Sequence, residues 1–459
     1  MTPFMSRLLS MALACIVAVL AGPGFALAKT EIQLWHGMTG VLSEALEAQA
    51  TQFNDSQDEF VVKPVSKGSE AETLAAAMAA YQQKNPPHLV QVVQAATQTM
   101  MLSGAVHPLF ELLQQNGIKV EVSDFLKPVV GPYGKDGKLY ALPYNAATPI
   151  LYYNKDAFKK AGLDPEKPPR TWPAVAEHAK KLLASGTKCG FSTGRPSWTM
   201  VENMHAIHDQ PVATKNNGLG AVEGVELLIN REFGQKHIGA LADWQENIYS
   251  YSGRGNAADP RYINGDCPMY IQSSALIAPF AKAVKFDWGT GELPQWGPPY
   301  RKATSITDGG ALWALKGRPQ AEYRGAARFL DFLAKPEQQM WWQVTTGDLV
   351  ISHTAVKSLE QAYYFVRSPR QYTAFGQITG LPLTAPIALQ DKKVAPAKPD
   401  RVTTPNSIGL RLGKLESIRD AIETELESIF SGRKAVKQGL DDAVAKSNTL
   451  LKEFAATSK

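Results

Sequence analysis

Residues 151–172, LYYNKDAFKKAGLDPEKPPRTW, contain the clearest structural signals of this chain. Tyr152 and Tyr153 favour a strand, and the seven residues KDAFKKA that follow Asn154 read as two helical turns. Gly162 then stands where a residue of left-handed conformation ends a helix. Three prolines between residues 165 and 169 keep the chain extended up to Trp172. The stretch therefore predicts a strand, a short helix and a loop that delivers an indole side chain.

Short apolar segments alternate with helical patterns along most of the chain. The run LVQVV at 89–93 is typical of a strand inside a parallel sheet, and Asp136-Gly137 predicts a hairpin turn. Strands that alternate with helices imply βαβ units and a sheet covered on both faces, so the sequence predicts an α/β fold. Further strands are predicted at 32–35, 60–62, from 189 and at 265–271, and helices at 42–53, 71–83, 174–184, 416–430 and 435–454.

The composition is that of a globular protein and argues against one class of partner. The length of 459 residues suggests two or three domains, and 44% hydrophobic with 20% charged residues is ordinary. The formal net charge is +5, but lysine and arginine are interspersed, with no run of five or six. We therefore do not expect nucleic-acid binding.

The N-terminus has the features of a cleavable signal peptide. Arg7 is its only charged side chain, and the mostly apolar run from Leu8 to Leu20 is too short to span a bilayer comfortably. Ala26-Leu27-Ala28 is an A-x-A cleavage site, which predicts residues 1–28 as signal peptide and a mature, exported chain that begins at Lys29. A retained membrane anchor is the alternative. Cys15 does not indicate a lipoprotein, because the residues before it form a poor lipobox.

Two cysteines remain after this cleavage, Cys189 and Cys267. Exported proteins meet oxidising conditions, in which a disulfide between them would persist. Two buried free thiols are the alternative, and the sequence leaves both open. Two cysteines alone cannot build a structural zinc site.

The stretch at 151–172 resembles the signature of family-1 solute-binding proteins of ABC importers, and the resemblance extends over essentially all of residues 29–459. It implies a two-lobed periplasmic binding protein fold of type II, like that of maltose-binding protein, with a hinge and a central cleft. The implied N-terminal lobe comprises residues 29–148 and 274–350. The implied C-terminal lobe comprises residues 149–273 and 351–459.

Such a fold implies a receptor and not an enzyme. Two α/β lobes bind a ligand in the crevice beyond the strand ends, and closure of the cleft creates a surface that a transporter can recognise. The resemblance therefore implies a monomeric periplasmic protein that captures a small molecule and delivers it to an inner-membrane permease with ATPase subunits. It is greatest to the glycerol-3-phosphate-binding members of the family.

Four residues match ligand-contact positions of those members. The resemblance implies that Trp172 stacks on the carbon face of a polyol and that Ser273 donates a hydroxyl. Gly309 would bring its backbone N–H close to the ligand, and Arg419 would hold a phosphate through its planar guanidinium. Arg411 is the nearby alternative for the phosphate. Each residue also has a purely structural interpretation; Trp172, for example, could pack in a core. Trp35 and His36 could likewise line the cleft or simply pack.

Four other positions depart from those members. Glu70 and Asp348 stand where the family pattern has tyrosines, Gln94 where it has a glutamate and Ala147 where it has a serine. The change at Ala147 removes a hydroxyl donor, whose hydrogen bond to a charged group contributes roughly 1.5–3 kcal/mol. Carboxylates at 70 and 348 repel a phosphate. We therefore expect weak binding of free glycerol-3-phosphate and better binding of a glycerophosphodiester with a cationic head, such as glycerophosphocholine. Another polyol or an oligosaccharide is the alternative.

A secreted hydrolase is the less favoured alternative. His205 and His208 are three residues apart on a predicted helix, near Glu202 and Asp209, and could ligate a metal. No third, distant ligand is evident in the sequence, and no H-E-x-x-H or P-loop pattern occurs. We therefore expect neither a metal nor a cofactor.

Overall fold

Two β-sheets, each flanked by helices, organise the chain. The computed structural model describes residues 29–245, 248–381 and 399–458. The predicted signal peptide, residues 1–28, lies outside the described residues. Among those that are described, no helix has both the length and the apolar character needed to cross a membrane.

The strands and helices are numbered here in chain order. The strands are β1 (Thr30–His36), β2 (Phe60–Ser66), β3 (Leu89–Val93), β4 (Val106–His107), β5 (Gly134–Lys135), β6 (Lys138–Leu139), β7 (Leu142–Ala147), β8 (Pro149–Asn154), β9 (Phe191–Thr193), β10 (Tyr249–Ser250), β11 (Met269–Ser273), β12 (Trp288–Gly291) and β13 (Asp308–Leu315). The main helices are α1 (Val41–Asp55), α2 (Glu70–Gln82), α3 (Thr97–Leu102), α4 (Leu109–Gln115), α5 (Lys127–Val130), α6 (Lys155–Lys160), α7 (Trp172–Ala184), α8 (Asn203–Ile207), α9 (Glu232–Asp243), α10 (Asp259–Ile263), α11 (Ile277–Ala283), α12 (Gln320–Ala334), α13 (Pro336–Thr346), α14 (His353–Gln361), α15 (Tyr364–Arg367), α16 (Pro369–Thr379), α17 (Leu415–Phe430) and α18 (Val436–Thr457).

The first sheet has the order β2-β1-β3-β13-β4, with β7 also paired to β13. Strand β1 is parallel to β2 and β3, whereas β13 is antiparallel to β3, β4 and β7. Apolar side chains of β1, β3 and β13 are fully buried, among them Ile32, Leu89 and Leu312, because helices pack on the sheet. The predicted α/β class is confirmed for this half of the molecule.

The second sheet has the order β10-β9-β11-β8-β12. Strand β8 is the predicted strand of the stretch 151–172, and it runs antiparallel to β11 and β12. Asn154 caps α6 by accepting a hydrogen bond from the Ala157 backbone N–H (2.8 Å), and Gly162 follows with φ of 71°. The predicted strand, helix and left-handed helix stop are all confirmed.

The chain passes between the two sheets close to Thr148. Its backbone N–H donates to Ser274 Oγ (3.2 Å), and the Ser274 N–H donates to the Thr148 carbonyl (2.9 Å). Its hydroxyl donates to Ser305 Oγ (2.7 Å), on the segment that leads from β12 to β13. Strand β12 belongs to the second sheet, although it lies in a segment that the sequence predicts for the N-terminal lobe.

Two local predictions concern a disulfide and a hairpin. Cys189 and Cys267 form a disulfide, with Cα atoms 4.9 Å apart, just before the paired strands β9 and β11. Of the two states that the sequence left open, the structure therefore has the bonded one. Asp136 and Gly137 both have positive φ (52° and 71°), and they connect β5 to β6 as a hairpin, as predicted.

Candidate functional site

Polar side chains from both halves of the molecule meet beyond the ends of several strands. Glu70 begins α2, the helix that follows β2 of the first sheet, and Asp308 begins β13 of the same sheet. Arg195 follows β9 of the second sheet, and Arg419 lies on α17. Glu202 ends a π-helix at Ser197–Glu202. This is the place where two α/β units bind ligands, and we call these residues, with Glu416, the charged cluster.

Arg419 is the best-partnered side chain of the charged cluster. Its Nε and Nη2 atoms donate to the two carboxylate oxygens of Glu202 at 2.7 and 2.8 Å, which is a bidentate pair. Its Nη1 atom lies 3.2 Å from Asp308 Oδ2 and 3.4 Å from Glu416 Oε1. Arg419, Glu202 and Asp308 are all buried. The guanidinium is therefore held by three carboxylates.

Arg195 approaches the same oxygen of Asp308 from another direction. Its Nη2 atom donates to Asp308 Oδ2, and its guanidinium lies 4.4 Å from the ring centre of Trp198, a cation–π contact. The backbone that presents it is constrained. Arg195 itself has φ of 47°, and a Cβ atom at the preceding Gly194 would lie 2.0 Å from Gln272 Nε2. Only glycine fits at that position without displacing Gln272.

The carboxylates of the charged cluster have different electrostatic environments. Burial disfavours the ionised form of Asp308, but Arg419 and Arg195 outweigh it and lower the pKa of Asp308 to about 2. Burial raises the pKa of Glu70 and of Glu416, and the neighbouring Asp308 raises both pKa values further. Glu416 keeps 66% of its side chain accessible to solvent, so it is the most open of the carboxylates that contact Arg419. Asp308 is thus a fixed negative charge, flanked by two carboxylates that resist ionisation.

The structure brings only some of the sequence-predicted site residues into the charged cluster. Arg419 and Glu70 belong to it. Gly309 directly follows Asp308 and donates its N–H to Asp308 Oδ1 (3.0 Å). Its close approach is to the chain itself, since a Cβ at Gly309 would lie 2.0 Å from the Asn145 carbonyl oxygen. Ala147 is the register partner of Asp308 across β7 and β13, so the position without a hydroxyl faces the fixed charge.

Trp172 lies in an aromatic cluster of the second half. The side chain is fully buried at the first position of α7. It contacts Phe191 and His237, with ring centres 5.8 and 5.0 Å away, and also Trp244 and Trp296, each at 6.2 Å. The loop therefore places an indole here as predicted. The indole packs in a core, which was the structural alternative, and does not lie on an open surface.

Three other predicted residues are buried near the strand ends. Gln94 begins a short 3₁₀ turn after β3, and Ser273 ends β11, where its hydroxyl accepts from the Ala275 N–H (3.3 Å). Asp348 follows the left-handed Gly347 at the end of α13. Burial raises the pKa of Asp348 to about 7, and its Oδ2 atom has no hydrogen-bond partner within the described part of the chain.

Arg411 and the two histidines have structural partners. Arg411 donates to the carbonyls of Gly134 (2.8 Å) and Leu219 (2.6 Å), so of the two candidate arginines only Arg419 belongs to the charged cluster. His205 and His208 place their Nδ1 atoms 2.8 and 2.7 Å from the carbonyls of Val201 and Met204. The backbone N–H of Trp296 donates to the other nitrogen of His208 (2.9 Å).

Trp35 and His36, at the end of β1, occupy ordinary packed positions. Trp35 is partly buried, and Lys67 Nζ lies 4.0 Å from its ring centre. His36 is buried, and burial lowers the pKa of its imidazole.

One enzyme-like pattern escaped the sequence interpretation. Residues 190–194 read GFSTG and match the G-x-S-x-G pattern of serine hydrolases. Ser192, however, is fully buried inside β9, and its hydroxyl donates to the Ser250 carbonyl (2.9 Å). A nucleophilic serine must instead sit exposed on a turn between a strand and a helix. The residues that match the pattern therefore form a buried strand, and Ser192 does not have the position of a nucleophile.

Arg195, Glu202, Asp308 and Glu416 were not predicted as ligand-site residues. Glu202 was predicted only as a candidate metal ligand, and no role was predicted for the side chain of Asp308. The one usable signal in the sequence was Gly-Arg directly after a short strand and Asp-Gly-Gly at the start of another, because glycines at strand ends mark close approach.

Comparisons with known proteins show what the chain as a whole is similar to. The family model described as "Bacterial extracellular solute-binding protein" matches residues 48–364. The sn-glycerol-3-phosphate-binding periplasmic protein UgpB of Salmonella typhimurium is 38% identical over 447 residues, which cover 96% of this chain and 97% of the relative.

Two solved structures have the same fold. UgpB of Mycobacterium tuberculosis, in complex with glycerophosphocholine, superposes with a TM-score of 0.73 at 20% identity and covers 93% of this chain and 99% of its own. The maltose-bound MalE3 of T. maritima gives a TM-score of 0.66 at 16% identity, over 92% and 100% of the two chains. The predicted fold, that of the maltose-binding-protein-like periplasmic binding proteins, is confirmed, and the chain belongs to the family of bacterial extracellular solute-binding proteins.

Proposed function

We propose that this protein is the periplasmic substrate-binding component of an ABC importer and captures a glycerophosphodiester with a cationic head group, such as glycerophosphocholine. The observation that carries this proposal is the charged cluster, where Arg195 and Arg419 of the second half meet Asp308 of the first. A ligand bound between these elements would hold the two halves together. Lobe closure would then signal occupancy to a permease with its ATPase subunits.

The charge of the cluster favours this class of ligand. The cluster contains two arginines and four carboxylates, Glu70, Glu202, Asp308 and Glu416. The arginines can donate to the oxygens of a phosphodiester. Burial raises the pKa values of Glu70 and Glu416, and the nearby arginines only partly offset that effect; a cationic head would add a positive charge beside both carboxylates. Free glycerol-3-phosphate carries no such cation and would bind more weakly.

A neutral polyol or an oligosaccharide is the second candidate. Carboxylates at 70 and 416 accept hydrogen bonds from hydroxyls without any phosphate, and Arg419 is already paired with Glu202. Export with cleavage after Ala28, a monomeric state and the lobe division at residues 148/149 and 273/274 form part of the same proposal. The family supports export, and the pairing of Thr148 with Ser274 supports the lobe division, with the exception of β12, which lies in the second sheet.

Isothermal titration calorimetry on the mature protein tests the proposal. Glycerophosphocholine should bind more tightly than glycerol-3-phosphate, and glycerol and maltotriose should bind least. Tight binding of glycerol-3-phosphate with glycerophosphocholine silent would refute the diester assignment, and binding of maltotriose alone would favour the second candidate. Nuclear magnetic resonance of the recovered ligand should show no hydrolysis, since release of product would point to an enzyme.

A further inference from the structure

Asp308 lies between the two arginines of the charged cluster. It is the first residue of β13 and belongs to the first sheet, whereas both of its arginine partners belong to elements of the second half. Arg195 and Arg419 donate to the same oxygen, Oδ2, while Oδ1 accepts the N–H of Gly309. A carboxylate held between two guanidinium groups has the geometry in which arginines bind a phosphate.

No donor edge of Arg419 remains for an added anion. The Nε and Nη2 atoms face Glu202, and Nη1 faces Asp308 and Glu416. An incoming phosphate must therefore displace these carboxylates, share their donors, or bind to Arg195, whose Nη2 atom faces Asp308. Asp308 is buried, so water screens its charge little.

We propose that Asp308 is a built-in anion that sets the charge selectivity of the cleft, excluding dianionic phosphate monoesters in favour of zwitterionic or neutral ligands. This inference rests on the proposed function, because it concerns the same cleft. With all its carboxylates ionised, the cluster has a net charge of −2. A phosphate monoester adds nearly two further negative charges at neutral pH. A phosphodiester with a quaternary ammonium head adds none.

The variant Asp308→Asn tests the inference, since asparagine has nearly the same shape without the charge. Titration calorimetry at pH 7.5 should show that glycerol-3-phosphate binds to the variant at least about tenfold more tightly than to the wild type. The affinity for glycerophosphocholine should increase much less. Asp308→Glu, which keeps the charge, should restore the wild-type discrimination. Asp243→Asn, an exposed site at the end of α9, is the matched control for loss of one negative charge.

A second measurement does not depend on the physiological ligand. Sulfate, a small dianion, should raise the melting temperature of Asp308→Asn but not that of the wild type, at an ionic strength matched with sodium chloride. If Asp308→Asn does not fold, Asp308→Ser takes its place in both experiments. Equal sulfate effects in wild type and variant, or an unchanged preference between the two glycerol phosphates, would overturn the inference. If the wild type binds neither glycerol compound, the proposed function fails, and the sulfate result still decides the role of Asp308.

Discussion

Arg419 and Glu202 form a buried bidentate ion pair, with Nε–Oε1 and Nη2–Oε2 distances of 2.7 and 2.8 Å. The pair joins α17 to the end of the π-helix that follows Arg195. π-Helical turns are rare and are frequently found at functional sites. Here the wide turn places Glu202 beside Arg419 and Trp198 beneath Arg195. The pair therefore fixes α17 and the π-helix to each other within the charged cluster.

Loss of the Glu202 charge should destabilise the protein. In Glu202→Gln the guanidinium of Arg419 stays buried without its main partner, and breaking such a pair costs about 3 kcal/mol or more. Urea denaturation monitored by circular dichroism measures the change. The control is Glu427→Gln, which breaks the more exposed pair with Arg254 and should cost less than about 1 kcal/mol. Equal losses in the two variants would contradict this role of the buried pair.

Gly309 should tolerate no side chain. It has φ of 147°, and a Cβ would lie 2.0 Å from the Asn145 carbonyl oxygen, so strands β7 and β13 would have to separate. We expect Gly309→Ala to lower the free energy of unfolding by about 2 kcal/mol or more and to weaken ligand binding by moving Asp308. Gly239→Ala is the control: it lies in α9 with open space around it, and should stabilise by about 0.5–1 kcal/mol. Denaturation curves of both variants measure these two changes in the free energy of unfolding.

Local structure was predictable because its determinants are adjacent in sequence. The helix cap at Asn154, the helix stop at Gly162 and the hairpin turn at Asp136-Gly137 depend only on residues close in sequence. Each has the predicted conformation. The loop to Trp172 was also correct as a local prediction. Whether its indole contacts a ligand or packs in a core depends on Trp244 and Trp296, which are distant in the chain. The periodicity of the sequence does not predict where these two residues lie relative to Trp172.

The charged cluster was largely unpredictable for the same reason. Arg195 and Asp308 are 113 residues apart, and Glu202 and Arg419 are 217 apart. Their pairing depends on how the two sheets face each other, and each residue alone resembles a surface charge. The departures at Glu70 and Ala147 were informative, because both could be identified in the sequence alone and both positions lie close to Asp308.

The disulfide between Cys189 and Cys267 should stabilise the mature protein. It closes a loop with a sequence separation of 78 residues and restricts the unfolded chain, so its removal in Cys189→Ala/Cys267→Ala should cost about 2–5 kcal/mol. Denaturation of the wild type with and without dithiothreitol should show the same loss. The double variant should not respond to the reductant. A reductant effect of equal size in the double variant would place its origin elsewhere.

Asp348 should destabilise the protein at alkaline pH. Burial raises its pKa to about 7 in the folded state, above the ordinary value of about 3.9 in the unfolded chain. Between these values the folded state binds more protons, so this group makes stability fall as pH rises. Asp348→Asn should therefore stabilise the protein, by about 2 kcal/mol more at pH 8 than at pH 5. Urea denaturation at the two pH values measures the gain. The exposed Asp243→Asn should show no such difference.

His205 should act in the opposite direction, at acid pH. Its imidazole is fully buried, and burial lowers its pKa to about 4, whereas the unfolded value is about 6.5. Between these values the unfolded chain binds more protons, so stability rises with pH and is lost as pH falls from about 6.5 to 4. This one histidine should account for about 2–3 kcal/mol of that loss.

The variant His205→Gln isolates the contribution of His205, because glutamine has no titrating group in this range and can still donate to the Val201 carbonyl. Its free energy of unfolding should depend less steeply on pH between 6.5 and 4.5 than that of the wild type, by close to one proton. His353→Gln, at an exposed position at the start of α14, is the control and should keep the wild-type slope. His208 has its pKa lowered to about 4 by burial as well, so part of the acid sensitivity should survive in His205→Gln and should fall further when both histidines are replaced.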